Sequence, residues 1–207
     1  MSSFKHHHSH SDGLAQSGAQ ADFIGTPAWL YDLMVWFDFR GQEKRYRQMI
    51  ANLARLQPGE AVLDVGCGTG TLALVAKKCV GETGRVCGID PSARLLTGAQ
   101  QKAARAHLSL EFQSARIEQL PFPDQSFDVV LSTFMMHHVP DDLKRQGLSE
   151  IVRVLKPAGR LLVIDFATPH EHHEHIETGK IPFPFNGLFT GDQNSSFVLA
   201  KKSLMKE

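Results

Sequence analysis

The chain has no excess of either charge. Its 22 Lys and Arg are matched by 22 Asp and Glu, so the formal net charge is zero. Nonspecific binding to phosphate backbones needs a basic surplus, so a bulk polyanion such as DNA or RNA is not an expected partner. No apolar run approaches the roughly 18 residues that a membrane-spanning helix requires. No apolar h-region stands near residue 1, so a secretory signal is not expected. Cysteine is scarce: Cys67, Cys79 and Cys87 leave one thiol over after any pairing. A disulfide framework is thereby excluded, and a reducing, cytoplasmic setting is expected. No segment repeats at a fixed period.

What is present is a composition suited to one packed domain: 207 residues, 42% hydrophobic and 21% charged. Residues 1–22 are rich in His, Ser, Gly, Gln and Ala and read as a disordered arm. Residues 23–207 read as a single domain, with an aromatic helical cover at 26–56, a core at 60–167 and a short tail at 168–207. Eight of the eleven histidines fall in two clusters, His6, His7, His8 and His10 in the arm and His170, His172, His173 and His175 in the tail. Interleaved with glutamates, the second cluster is either a metal site or a solvated loop; the loop is expected, and no metal.

Between residues 60 and 167 the chain alternates short apolar strands with amphipathic helices. Strands are expected at 61–66, 85–90, 109–115, 127–134 and 159–167, and helices at 71–79, 93–106 and 142–155. Nearly continuous apolar strands interleaved with helices mark a doubly wound, Rossmann-like α/β fold, its mainly parallel sheet covered on both faces. Two helices are expected before the core. In the first, Trp29, Leu30, Leu33, Met34, Trp36 and Phe37 recur at helical spacing after Thr26-Pro27. The second covers 43–56 and ends at Pro58-Gly59. The first is read as a lid or, more simply, as cover for the sheet. In the tail, 168–187 is polar and broken by proline, and 196–202 is a candidate terminal strand.

The most informative stretch is Asp64-Val65-Gly66-Cys67-Gly68-Thr69-Gly70, where the first core strand turns into a helix. Alternate glycines let the backbone turn sharply and approach a ligand closely. The spacing is G-x-G-x-G, not the G-x-G-x-x-G of a pyrophosphate site. Asp64 is a poor neighbour for phosphates but suits an ammonium group. Asp90 ends the second strand 20 residues after Gly70, where an acid accepts hydrogen bonds from ribose hydroxyls. An adenosine with a cationic amino acid end and no phosphate fits these features: S-adenosylmethionine fits, NAD less well.

These residues resemble the first motif of the class I S-adenosylmethionine-dependent methyltransferases. Glu118 to Val130 (EQLPFPDQSFDVV), Met136 to Asp141 (MHHVPD) and Leu155 to Phe166 (LKPAGRLLVIDF) resemble segments of the ubiquinone/menaquinone biosynthesis type. The resemblance covers roughly residues 28–167. It implies that Asp64, Gly66, Cys67, Gly68 and Gly70 hold the methionine end, that Asp90 binds the ribose, and that Pro91 and Ser92 border the adenine. Ser132 and Thr133 would approach the sulfonium, and Tyr31 would close over the cofactor. Relatives often carry Gly-Asp-Ala where this chain has Ala115-Arg116-Ile117. Arg116 cannot accept a hydrogen bond, so the Ile117 amide and a stacked Arg116 are expected to replace that contact. Relatives also place a helix and two antiparallel strands after the fifth strand, and here that part is shortened.

Methyl transfer needs mainly alignment, and a general base only where the acceptor must lose a proton. His137 and His138, after the fourth strand, are the catalytic candidates, against a reading in which they cap and pack beneath the next helix. Cys67 is read as a small packing residue rather than a nucleophile. The resemblance implies an enzyme methylating a small-molecule or lipid acceptor. The competing reading is a non-catalytic cofactor-binding module that regulates a partner or forms a homodimer through its aromatic N-terminal helix. A protein or nucleic-acid methyltransferase is disfavoured, because Ser132-Thr133-Phe134-Met135 is not an Asn/Asp-Pro-Pro-aromatic tetrad.

Overall fold

A computed structural model describes residues 27–38, 41–166, 177–182 and 194–201. Helices α1 (Ala28–Asp38) and α2 (Glu43–Leu53) precede an alternating core. The core runs β1 (Ala61–Val65), α3 (Thr71–Val80), β2 (Arg85–Asp90), α4 (Ala93–Arg105), β3 (Glu111–Ser114) and β4 (Phe127–Thr133). A 3₁₀ turn (Met136–His138), α5 (Asp141–Val154) and β5 (Leu155–Phe166) follow. Two strands, β6 (Glu177–Pro182) and β7 (Asn194–Lys201), complete the sheet. The strand order is β3-β2-β1-β4-β5-β7-β6. β1 to β5 are mutually parallel, and β7 runs antiparallel to both β5 and β6.

The apolar strands are buried on both faces. One face packs Val62, Val129, Leu131, Leu162 and Ile164 against Tyr46 and Ile50 of α2 and Leu72, Ala76 and Val80 of α3. The other packs Leu63, Val65, Ile89, Val130 and Leu161 against Ile151 and Val154 of α5, with Ile117 and Leu120. Side chains alternate along a strand, so each strand feeds both clusters and no polar face remains on β1 or β4. The order reverses between β1 and β4. Open α/β sheets bind ligands at the carboxyl edge of such a reversal.

Helices and strands of the core fall within a few residues of the sequence expectation, and three boundaries differ for identifiable reasons. Helix α2 stops at Leu53 instead of running on toward Pro58. Arg55 takes a left-handed φ of 54°, and Arg160 of β5 caps the exit. Its Nε donates to the Ala54 carbonyl at 2.7 Å and its Nη2 to the Arg55 carbonyl at 2.7 Å, while Glu60 takes the same guanidinium at 2.7 and 2.9 Å. Strand β5 begins four residues early, with a register shift opposite Phe127 and Val129. Strand β6 lies inside the stretch read as polar and broken. It holds an edge position, where one side needs no ladder partner and Pro182 is tolerated at its end. Among the described residues no helix stands between β5 and β7. The two histidine clusters lie outside the described residues.

The Arg160 fork joins β5 to the exit of α2 and to Glu60, 100 to 106 residues away in sequence. Removing it leaves two helix-exit carbonyls and the Glu60 carboxylate without their cation. Arg160→Ala is expected to lower stability by about 3 kcal/mol, read as a lower urea midpoint at unchanged slope. Arg160→Lys should recover only part of this, because an ammonium cannot reproduce the fork.

Candidate active site

The turn after β1 is held from below by the end of β2. The amides of Gly66 and Cys67 both donate to the Ile89 carbonyl at 2.9 Å. The Gly68 amide donates to Asp90 Oδ2 at 2.9 Å, and the Gly70 amide to the Cys67 carbonyl at 2.9 Å. These bonds require left-handed backbone, with φ of 73° at Gly66, 54° at Gly68 and 73° at Gly70. Close neighbours reinforce the requirement: a Cβ on Gly66 would meet Met135 Cγ at 2.4 Å, and one on Gly70 would meet Ala99 at 2.9 Å. Four amides of the turn are therefore spent within the protein. A phosphate site offers such amides to its ligand, so this turn suits a ligand without phosphates.

Two acids flank the turn in different states. Asp90 is buried, but its Oδ1 accepts from the Ser92 amide at 2.8 Å while Oδ2 accepts from Gly68. Burial pushes its carboxyl up, and the two amides oppose that. Each carboxylate oxygen accepts twice, so both retain capacity for a diol. Asp64, 1% exposed, has no hydrogen-bond partner on either oxygen. The Ala73 amide falls short of hydrogen-bond geometry with it. Burial, with some repulsion from Asp90, pushes the Asp64 carboxyl up to about 7, and Arg47 of α2 pulls it back only in part. An unpartnered buried carboxylate wants a cationic donor. Burial and Asp64 together push the Cys67 thiol well up, which keeps it neutral and suits packing rather than attack.

Helix α1 lies across this turn. A Cβ on Gly68 would meet the Tyr31 hydroxyl at 3.4 Å, and a Cβ on Gly98 of α4 would meet Ala28 at 2.6 Å. Asp32 accepts from Thr69 Oγ1 at 2.6 Å and from Lys102 Nζ at 2.7 Å, and the same lysine donates to Thr69 Oγ1 at 2.8 Å. The face turned inward is thus Ala28, Tyr31 and Asp32. Four of the apolar residues expected to cover the sheet point the other way: Trp29 is 68% exposed, and Leu30, Leu33 and Met34 are exposed too, while Val35 packs against the core. Polar anchoring and the small Gly98 chose the face over apolarity. The side chains of Trp36 and Phe37 lie outside the described residues. Asp32, Lys102 and Arg47 carry no local motif and were not legible in the sequence.

The remaining site residues line the carboxyl edge. Pro91 is exposed, and Ser92 caps α4 through the Leu95 amide. Ile117 turns its side chain into the core, where a Cβ on Gly147 would meet it at 2.8 Å, so only its main chain is left to face a ligand. Arg116 is half-exposed and 3.9 Å from Glu118. Ser132 and Thr133 are buried at the end of β4, and Ser132 Oγ has no hydrogen-bond partner. Phe134 then takes a left-handed φ of 53° and stacks on Tyr46. That turn carries Met135 onto Gly66 and places His137 beside the end of β5. There Asp165 Oδ2 accepts from the His137 amide at 3.0 Å, and Asp165 Oδ1 lies 2.7 Å from His137 Nδ1. The His138 ring packs on that of His137, with centroids 3.8 Å apart. Among the described residues no three His, Cys, Asp or Glu side chains converge as a metal site, and no helix is long and apolar enough to cross a membrane.

This geometry has counterparts among known proteins. Residues 62–159 match a family model described as a methyltransferase domain. The chain is 36% identical over 152 residues to the ubiquinone/menaquinone biosynthesis C-methyltransferase UbiE of Laribacter hongkongensis, over 73% of this chain and 62% of that protein. It is 39% identical over 127 residues to a demethylmenaquinone methyltransferase of Listeria monocytogenes, over 61% of this chain and 53% of that protein. The chain thus spans 53% to 62% of the length of these relatives. A solved S-adenosylmethionine-dependent methyltransferase from Aquifex aeolicus shares the fold, with a TM-score of 0.66 at 22% identity over 85% of this chain and 98% of that one. With its turn amides spent internally and an acid on either side, the chain is similar over this stretch to the class I S-adenosylmethionine-dependent methyltransferases of the ubiquinone/menaquinone biosynthesis type, and S-adenosylmethionine is the cofactor that this likeness gives.

Proposed function

We propose that this chain is an enzyme that transfers a methyl group from S-adenosylmethionine to a small-molecule acceptor, with a reduced quinone ring as the acceptor class. The carrying observation is a turn whose amides are spent within the protein, set between Asp64, which lacks a hydrogen-bond partner, and Asp90, which holds the turn. In this reading Asp64 takes the ammonium of the methionine end against Gly66, Cys67, Gly68 and Gly70. Asp90 takes the ribose hydroxyls. Pro91, Ser92, Arg116 and the Ile117 main chain border the adenine, and Tyr31 covers the methionine end from α1. Ser132 and Thr133 face the reacting centre, and His137 or His138 accepts a proton where the acceptor must lose one. The acceptor class follows from the names of the two curated relatives. A cytoplasmic setting accords with the unpaired thiols.

When bound, S-adenosylmethionine supplies a methyl on a sulfonium whose departure leaves a neutral thioether. The protein's task is then alignment and exclusion of water, which supply most of the acceleration for such a displacement. Nothing in this chemistry requires a triad.

Calorimetric titration with S-adenosylhomocysteine tests the site, and transfer of labelled methyl to 1,4-naphthalenediol tests the activity. Binding with no transfer to any phenolic or amine acceptor would favour the non-catalytic module. Asp90→Ala is expected to weaken S-adenosylhomocysteine by about 100-fold, since it removes both the ribose acceptor and the anchor of the turn. Unchanged affinity would refute the ribose assignment.

Asp64 makes a prediction with a definite sign. Its folded carboxyl, at about 7 against an ordinary 3.8, keeps a proton that the unfolded chain has already lost. Stability therefore falls as pH rises from about 4 to about 7, and the deficit is complete above that. Asp64→Asn should stabilise the ligand-free chain by roughly 2–3 kcal/mol more at pH 8 than at pH 5, measured by denaturant unfolding at both. The same variant should lose most of its affinity for S-adenosylhomocysteine. In the parent chain that affinity should drop roughly tenfold from pH 8 to pH 6, as the carboxylate protonates.

A further inference from the structure

The ammonium of Lys102, on α4, meets three elements at one point. It donates to Asp32 Oδ1 of α1 at 2.7 Å, to Thr69 Oγ1 of the glycine turn at 2.8 Å and to Thr71 Oγ1 at the start of α3 at 3.3 Å. Thr69 Oγ1 donates in turn to the same Asp32 oxygen at 2.6 Å. An ammonium has three donors and a hydroxyl has one, so every hydrogen of this cluster is placed within the protein. Thr69 is buried, and the Lys102 and Asp32 side chains are 28% and 33% exposed. Water therefore screens the pair only in part.

The cluster fixes how α1 lies on the turn. Ala28 passes over Gly98, and Asp32 meets Lys102. These two contacts stand four residues apart on each helix, so α1 and α4 run side by side in the same direction for one turn. Gly98 sets their separation, because a Cβ there would meet that of Ala28 at 2.6 Å. Lys102 sets the rotation of α1 by holding Asp32. Tyr31 is the residue before Asp32, and its hydroxyl stands 3.4 Å from where a Cβ on Gly68 would be. Gly68 in turn precedes Thr69, the hydroxyl that Asp32 accepts from. Holding Asp32 thus aims Tyr31 at the turn.

We infer that Lys102 is a positioning residue: through Asp32 and Thr69 it holds Tyr31 over the methionine end of the cofactor, and so sets the affinity for that end and not for the adenosine. The inference rests on the methyltransferase reading of the turn. Lys102 acts at one remove, since its three hydrogens are taken by Asp32, Thr69 and Thr71. Ser92, which borders the adenine in that reading, precedes Lys102 by ten residues along α4. At 1.5 Å per residue that is roughly 15 Å, so a change at Lys102 leaves the ribose and adenine contacts in place.

The test titrates the full chain with two probes, S-adenosylhomocysteine and 5′-methylthioadenosine, which lacks the amino acid end. Lys102→Met and Asp32→Asn should each weaken S-adenosylhomocysteine by about fivefold and leave 5′-methylthioadenosine within about twofold. Lys102→Met added to Tyr31→Ala should cost nothing further, because the lysine acts through the tyrosine. Gly98→Ala removes no charge and raises the helix propensity of α4. It should still weaken S-adenosylhomocysteine by a similar factor, since the new Cβ lifts Ala28. A readout without ligand is amide hydrogen exchange, which Lys102→Met should speed in 28–38 while β1 and β4 stay protected. Parental affinity for S-adenosylhomocysteine in Lys102→Met, an equal loss for both probes, or a full additional loss in the Tyr31→Ala background would overturn the inference alone. A parent chain that binds neither probe would overturn the methyltransferase reading, and the inference with it.

Discussion

The end of β2 sets the shape of the site. Ile89 offers one carbonyl to two successive amides of the glycine turn, and Asp90 offers its carboxylate to a third. Those bonds are made only if the backbone runs left-handed at alternate positions, which glycine does without strain. Once the turn is tied down in this way, its amides no longer form a nest for an anion. The turn becomes a wall along which a neutral or cationic ligand can lie. Met135 packs against Gly66, Tyr31 against Gly68, and Ala99 with Phe112 against Gly70, so α1, α4 and the loop after β4 all take their distance from the same seven residues.

The two acids show how burial is used differently on either side of that wall. Asp90 is compensated by the amides it organises, so its burial contributes to the turn. Asp64 has no hydrogen-bond partner among the described residues, and Arg47 offsets its burial only in part. Its carboxyl sits about three pH units above its ordinary value, and at about 1.36 kcal/mol per unit ionising it there costs on the order of 4 kcal/mol. A ligand ammonium would relieve that cost, so the free energy stored in an unstable ligand-free site becomes affinity when the site fills. Strain of this kind at a binding site is compensated by the packed core around it.

The core was legible because two signals agree there. Apolar runs of strand length alternate with helical patterns, and turn glycines separate them, so β1, α3, β2, α4, β4 and α5 emerge with nearly their observed bounds. Asp64 and Asp90 were legible because their positions relative to the glycines carry chemistry. What failed depended on distant partners. The exit of α2 is set by Arg160, more than a hundred residues away. Strand β6 is made by pairing with β7 and has weak strand propensity of its own. Asp165 was visible as the end of an apolar strand, but nothing local tells that it meets His137. His137 and His138 could be placed after β4 at the carboxyl edge of the sheet, but the contact of His137 with Asp165 follows only from β4 lying beside β5.

Helix α1 shows most clearly why periodicity alone misleads. Its apolar stripe is real, yet Trp29, Leu30, Leu33 and Met34 face outward and the face against the turn carries Asp32 and Tyr31. A helix that buries its apolar side gains roughly 25 cal/mol for each Å² removed from water. With Trp29 mostly exposed, α1 forgoes much of that gain. Its seat rests on the Asp32–Lys102–Thr69 contacts, on the close passage of Ala28 over Gly98 and Tyr31 over Gly68, and on Val35 against the core. Partly exposed ion pairs contribute at most about 1 kcal/mol, so α1 is held far less firmly than α2, α3 or α5, whose apolar faces enter the core. Segments held in this way open locally at low free energy while the rest of the fold stays intact. The weakly held element is also the one that lies over the glycine turn, seated there by Ala28 over Gly98, Tyr31 over Gly68, and Asp32 with Lys102 and Thr69.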